Sequence, residues 1–432
     1  MNNDTIFALS SGHGKSGVAV IRISGTDLKN TAQAFIRRPA ITPRHAYFTN
    51  LADRNGDIID QCVIIYFVGP ASFTGEDVIE IHCHGARAVI EKIFSFLSQN
   101  NMRMALPGEF SKRAFYNNKM DLSDIDGLAA LLDAQTDRQR AFALKSMMGR
   151  DSETYQNWRN QMIEISAYAA AILDYDANDL PANIGKTIHQ RTENLYNEIN
   201  DALARYGAVR AVQAGLNITL AGETNVGKSS IFNYLAGTNR AIVSDTPGTT
   251  RDVVNATLDI DGYLVNLSDT AGIRDTDNDI EKIGIAKTRT EIENADIIIH
   301  VKSADGLNNS TVYKNEILVI NKSDITRPNI PDAILVSAKT GDGMDKLLNT
   351  IRSKISDKIS GADHGVVVNA RTKSLLESAA CDLGAAINNA GDNYDIFAEH
   401  VRRAADSIGK ILGTITAADV MDATFSQLCL GK

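Results

Sequence analysis

The chain of 432 residues predicts two fold classes side by side, α/β and all-α, and three observations carry that expectation. A glycine-rich turn with the spacing G-x-x-x-x-G-K-S, Gly222 to Ser229, follows a strand-like apolar run at 216–221 and opens a helical pattern. Strand-length runs of β-branched residues at 18–23, 63–67, 317–320 and 334–336 are separated by helical stretches. Between 119 and 212, and again after 358, apolar residues recur only at helical spacing.

Taken in order, residues 1–118 form an N-terminal mixed α/β domain, with strands at Val18 to Ile23 and Val63 to Phe67 and a helix near Ala88 to Leu97. From 119 to 212 the apolar stripe runs through Ile125, Leu128 and Leu132, then Ile163, Ala167, Ala170 and Leu173. From 358 to 432 it resumes at Leu375, Leu376, Ala379, Leu383 and Ile387, then Ile408, Ile411, Leu412 and Ile415. A helix pair of that size does not bury its apolar face alone. The two segments are therefore expected to pack as one helical-bundle domain, with 213–357 inserted through its connection.

The inserted segment carries the chemistry. In a phosphate loop the backbone N–H groups of Asn225, Val226, Gly227, Lys228, Ser229 and Ser230 converge on phosphate oxygens, Lys228 reaches the β- and γ-phosphates, and Ser229 offers a magnesium ligand. Asn321, Lys322 and Asp324 follow the apolar strand 317–320, and a carboxylate at Asp324 pairs with the ring N–H and exocyclic amine of guanine, donors that adenine lacks there. Ser337, Ala338 and Lys339 close over the base from the other side. Asp269, Thr270, Ala271 and Gly272 end a further strand, where Asp269 holds magnesium through water and the Gly272 N–H meets the γ-phosphate. Upstream, the turn-rich segment Ser244, Asp245, Thr246, Pro247, Gly248, Thr249 and Thr250 is placed as a switch whose Thr250 hydroxyl completes the magnesium shell. Asp261-Gly262 turns a hairpin between two alternating strands. The order is that of a Ras-like P-loop GTPase domain with a mostly parallel sheet.

Ile273 stands where many small GTPases place a water-orienting glutamine, and isoleucine makes no hydrogen bond to water. Glu281, further along the acidic stretch 275–281, is the candidate replacement, with a solvated loop carboxylate as the competing reading. For the positive charge of an arginine finger, Arg251 and Arg274 are nearby, while the neutral oxygen of Asn225 suggests a monovalent cation beside the phosphates instead.

Composition narrows the remaining classes. A 44% hydrophobic and 22% charged chain is that of a globular protein of several domains, and a net charge of −9 argues against gripping nucleic acid through one broad basic surface. Cys62, Cys83, Cys381 and Cys429 are scattered without C-x-x-C spacing, so a reducing cytoplasm fits better than a disulfide framework. No apolar run approaches the ~20 residues needed to cross a bilayer, and the expectation is a cytoplasmic protein without membrane contact. His82-Cys83-His84 does not suit a metal, because adjacent strand residues face opposite ways. Gly12 to Ser16 only mimics a phosphate loop, since Leu9 stands where its first glycine belongs.

Beyond the GTPase motifs, Val20 to Gly25, Ser72 to Asp77, Pro107 to Ser111, Asn118 to Leu122, Gly248 to Asp252 and the terminal Cys429-Leu430-Gly431-Lys432 are shared with one family: nearly the whole chain resembles the MnmE (TrmE) tRNA-modification GTPases. The resemblance implies an N-terminal folate-binding and dimerising domain, a helical domain and an inserted GTPase domain whose hydrolysis requires K+ as well as Mg2+. By matching positions, Asn225, Ser244, Thr246 and Thr249 would hold the potassium and Glu281 would be the catalytic glutamate, acting with Lys228, Thr250 and Gly272. Arg22, Glu80, Lys119 and Lys432 would contact a tetrahydrofolate derivative, 5-formyl- or 5,10-methylene-tetrahydrofolate. A carboxylate suits the amino-pyrimidine edge of a pterin and cations suit the glutamate tail, although each residue alone also reads as an ordinary surface charge. The family works as a homodimer with the FAD-bearing flavoprotein MnmG (GidA), placing an aminomethyl-type group on carbon 5 of the wobble uridine of certain tRNAs. Cys429 lies close to the implied folate, but no His-Asp arrangement activates it. The competing reading is a ribosome-assembly or regulatory RNA-binding GTPase switch without folate chemistry, disfavoured because no basic module follows the GTPase segment.

Overall fold

The computed structural model describes residues 4–176, 179–181, 183–242, 255–269, 291–304, 316–389 and 393–414. Two compact units are present: one takes the chain up to Ala129, Met147–Arg159 and the stretch from Asp406, the other Ala130–Ser146 and Asn160–Ala405.

In the first unit, the strands are β1 (Ile6–Leu9), β2 (Ser16–Gly25), β3 (Ala46–Ala52), β4 (Ile58–Phe67), β5 (Asp77–Gly85) and β6 (Arg103–Met104). They form one sheet in the order β3-β4-β5-β2-β1-β6, antiparallel except for the β1–β6 pair. Helices α1 (Lys29–Ile36) and α2 (Arg87–Gln99) are amphipathic, and Phe35 and Phe96 close over Ile21, Ile23, Ile64, Ile79 and Ile81. The strands outrun the apolar stretches at 18–23 and 63–67, because ladder hydrogen bonds continue into residues such as Ser16 and Gln61 that the core does not need. Since side chains alternate along a strand, burying Ile21, Ile23, Ile79 and Ile81 turns Arg22 and Glu80 to the opposite face. Helices α3 (Glu109–Tyr116) and α4 (Leu122–Asp133) follow.

The second unit draws on most of α5 (Asp137–Met147), the part of α6 (Arg150–Asp174) from Asn160 on, α7 (Ile184–Ala204) and α8 (Tyr206–Ala214), which lead into a seven-stranded sheet. Its members are β7 (Leu216–Ala221), β8 (Arg240–Ala241), β9 (Asn255–Ile260), β10 (Tyr263–Asp269), β11 (Ile297–Ser303), β12 (Glu316–Asn321) and β13 (Ile334–Leu335), with α9 (Lys228–Thr238) and α10 (Met344–Ile359) packed against them. The order is β13-β12-β11-β7-β10-β9-β8, parallel except at the β8–β9 and β9–β10 pairs. The β9–β10 turn is at Asp261-Gly262, where both residues take positive φ, 53° and 84°, as a two-residue hairpin loop demands. After the sheet come α11 (Ala370–Asn389) and α12 (Tyr394–Leu412). Helix α11 packs on α7, where Gly384 lets the Tyr196 ring approach, and the Tyr394 hydroxyl of α12 sits against Gly185 of the same helix. Helices before and after the sheet thus share an interface.

Candidate functional site

Strand β7 is central in its sheet, with parallel neighbours on both sides, so the loop after it emerges at the point where the strand order reverses. That is where open α/β sheets bind ligands. Two glycines are required here by contact as well as by φ. At Gly222 (φ 144°) a Cβ would lie 2.1 Å from the Val301 carbonyl oxygen, and at Gly227 (φ 95°) 2.1 Å from Asn321 Nδ2. Asn225 between them takes φ 63° and is exposed. Gly227 then opens α9, directing the helix's N-terminal N–H groups at the loop.

Lys228 is buried, and its Nζ donates to the carbonyls of Gly222 at 2.8 Å and Glu223 at 2.7 Å. Burial pulls its pKa below the usual ammonium value while the Asp269 carboxylate works the other way. The Ser229 hydroxyl donates to Asp269 Oδ2 at 2.7 Å, so the two groups expected around magnesium are already adjacent. A hydroxyl and a carboxylate oxygen side by side suit a hard divalent cation.

Asn321 does something its position in sequence did not reveal. Its Nδ2 donates to the Val226 carbonyl at 2.9 Å and its Oδ1 accepts the Ala338 N–H at 3.1 Å, tying the loop after β7 to the loop expected to close over the base. Ser337 is buried, and its N–H donates to the Asp342 carbonyl at 2.9 Å, which fixes that loop from behind. Asp324 and Lys339 are exposed at the same edge, and Lys322 takes φ 65° between Asn321 and Ser323. Ser244, Asp245, Thr246, Pro247, Gly248, Thr249, Thr250, Thr270, Ala271, Gly272 and Glu281 lie outside the described residues, as do Cys429 and Lys432.

In the first unit, Arg22 and Glu80 face each other across β2 and β5, with Nε and Nη2 of Arg22 donating to Glu80 Oε1 at 3.0 and 2.9 Å. The guanidinium lies 5.0 Å from the Phe73 ring centroid and 5.9 Å from that of Phe110. The motif around Phe73 is braced from beneath. Ser24 bonds Thr74 and Glu76, Arg113 holds Glu76 at 2.8 Å, and Asp77 accepts from Tyr66, Leu28 and Gly69. Lys119 donates to the Pro70 carbonyl at 3.1 Å, so it borders the same 70–75 loop. Phe73 and Phe110 stood in the sequence only as members of motifs; their aromatic character beside a lone strand arginine was the available signal.

The pattern of the "GTP-binding protein TrmE N-terminus" matches residues 5–119, and that of the "MnmE helical domain" matches 122–429. The tRNA modification GTPase MnmE of Brucella anthropi is 37% identical over 99% of this chain and 98% of its own. The chain belongs to the MnmE family. MnmE of Agrobacterium fabrum is likewise 37% identical, over 99% of each chain. Among solved structures, Era from Aquifex aeolicus aligns with 32% of this chain and 56% of its own at 26% identity and a TM-score of 0.26. As an MnmE protein the chain is a GTP hydrolase of tRNA modification. No described helix is long and apolar enough to cross a membrane.

Proposed function

We propose that this MnmE protein is a potassium-dependent GTPase that adds an aminomethyl-type group to carbon 5 of the wobble uridine of certain tRNAs. The one-carbon unit comes from a tetrahydrofolate derivative, and the work is shared with the FAD-carrying flavoprotein MnmG. The observation that carries the reading is the Arg22–Glu80 pair against Phe73 and Phe110, in a chain that also holds a guanine-type phosphate loop. A half-buried carboxylate fixed by arginine beside two aromatic rings suits the flat, donor-rich amino-pyrimidine edge of a pterin, and Lys119 and Lys432 suit its anionic tail. Mg2+ belongs with Ser229 and Thr250; K+ belongs with Asn225, Ser244, Thr246 and Thr249, supplying charge where an arginine finger would otherwise act. Glu281 positions the attacking water. The domains run 1–118 for folate and dimerisation, 119–212 and 358–432 for the helical body, and 213–357 for the GTPase, in a cytoplasmic homodimer.

Nucleoside mass spectrometry of tRNA tests this. A strain lacking the gene should lose the modified wobble uridine, and the wild-type gene should restore it whereas Glu80→Ala should not. Unchanged wobble uridines in the strain lacking the gene would leave a regulatory RNA-binding GTPase without folate chemistry as the better reading, and restoration by Glu80→Ala would remove Glu80 from the folate site.

A further inference from the structure

Strand β5 places His82 on the same face as Glu80, one step along, while Ile79, Ile81 and Cys83 point into the core. The partners of His82 across the ladder are Val20 on β2 and Val63 on β4, whose side chains offer nothing polar. Both hydrogen bonds from Arg22 end on Glu80 Oε1, which leaves Oε2 turned toward the imidazole. His82 Nε2 lies 3.6 Å from that oxygen, too far for a hydrogen bond, and this buried atom has no hydrogen-bond partner among the described residues. Two polar atoms thus stand side by side next to the Arg22–Glu80 ion pair, and a buried polar atom left unpaired is costly.

We propose that His82 is a specificity-determining residue of the Arg22–Glu80 site: it recognises the exocyclic amino group of a 2-amino-4-oxopteridine, His82 Nε2 accepting one of its two N–H bonds and Glu80 Oε2 the other. The inference rests on the folate reading above and deepens it. The imidazole accepts at Nε2 in the tautomer that carries its proton on Nδ1. With the acceptors 3.6 Å apart, an amino nitrogen ~2.9 Å from each would see them roughly 77° apart, so each N–H points about 20° off its acceptor, inside the range a hydrogen bond tolerates. Phe73 and Phe110 contribute indirectly. By flanking Arg22 they keep Oε1 engaged and Oε2 aimed at the ligand.

The test compares tetrahydrofolate with its 2-desamino-2-methyl analogue, titrated calorimetrically into the full-length wild type, His82→Leu and His82→Gln, with thermal unfolding as the check on folding. His82→Leu should lose about tenfold in affinity for tetrahydrofolate and nothing for the analogue, and His82→Gln, which keeps an acceptor, should stay near wild type. Equal losses for both ligands in His82→Leu, or none for tetrahydrofolate, would overturn the assignment while leaving the folate reading in place. If His82→Leu does not fold, His82→Gln decides, because discrimination between the ligands that falls to that of a nonpolar site would also overturn it. A wild type that binds neither ligand would remove both.

Discussion

Asn321 donates to the carbonyl of Val226 across 2.9 Å, so the residue that heads the guanine-reading motif is also bonded to the backbone of the phosphate loop. Its other amide atom accepts the Ala338 N–H, and a single buried side chain thereby fixes the loop after β7 against the loop after β13, the two expected to hold phosphate and base. Asn321→Ala leaves the Val226 carbonyl without this partner, at a cost of about 1–3 kcal/mol. We expect lower thermal stability of the GTPase domain and weakened binding of GDP as well as GTP. Calorimetric titration of both nucleotides checks this, and unchanged affinities would mean the tether does not organise the site.

Base selection should be separable from that scaffold. Asp324 is exposed at the edge of the sheet and makes no part of the Asn321 tether, so Asp324→Asn should fold normally. An amide presents a donor where the carboxylate presented only acceptors. Guanine's exocyclic amine then meets a mismatch, whereas the carbonyl of xanthine at the same position gains a partner. The expected outcome is a fall in GTP affinity by at least about 100-fold with a corresponding gain for XTP, measured by competition against a fluorescent nucleotide. Retained preference for GTP would place guanine recognition elsewhere.

These two residues mark what the sequence could and could not disclose. The turn between β7 and α9 was legible because its spacing is set by close contacts: Gly222 and Gly227 are demanded by backbone approach and positive φ. The strand and hairpin assignments at 216–221 and 261–262 followed from periodicity and turn residues and stand in the structure. The role of Asn321 as a tether was not legible, since Val226 is 95 residues away and meets it only once the parallel sheet is formed. Likewise the family resemblance named Arg22 and Glu80, but that they bond each other depends on the register of β2 against β5 across 58 residues. His82 was weighed only beside Cys83 and His84 as a metal triplet; its relation to Glu80 depends on side-chain orientation, which spacing does not encode.

Acid should loosen the first unit in a defined window. Arg103 bonds both Asp4 and Glu109, and Arg113 adds its charge. Burial alone would raise Glu109, but hydrogen bonds from Arg103 and the Leu106 N–H together with the two guanidinium charges hold it below 4.5; Asp4 is held below 3.8 for similar reasons. Carboxyls depressed in the folded state stabilise it above their unfolded values, and that contribution is lost as pH falls through the folded ones. Wild-type stability should therefore drop as pH falls below about 4.5, and more steeply than in Arg103→Met, where the main cause of the depression is gone. Thermal unfolding across that range decides; parallel curves would mean the Arg103 cluster carries no acid sensitivity.

The most consequential prediction concerns hydrolysis. Lys228, Ser229 and Asp269 are assigned to phosphate and magnesium in the proposed mechanism, which leaves the attacking water without a partner, and Ile273 has no group to bond it. Binding and turnover should then come apart in Glu281→Ala: GTP affinity stays near wild type while the rate falls by about 10²-fold or more, the usual loss when a water-positioning carboxylate is removed. Replacing potassium with sodium should lower the same rate without lowering affinity, because the cation acts on charge that develops only as the phosphate transfers. The two losses must also be distinguishable. Potassium should still accelerate the residual turnover of Glu281→Ala if the ion stabilises the phosphates and the glutamate handles water, whereas a variant indifferent to the ion would show that Glu281 and the potassium act as one unit. Near-normal turnover of Glu281→Ala in potassium would move the water-orienting role to another side chain.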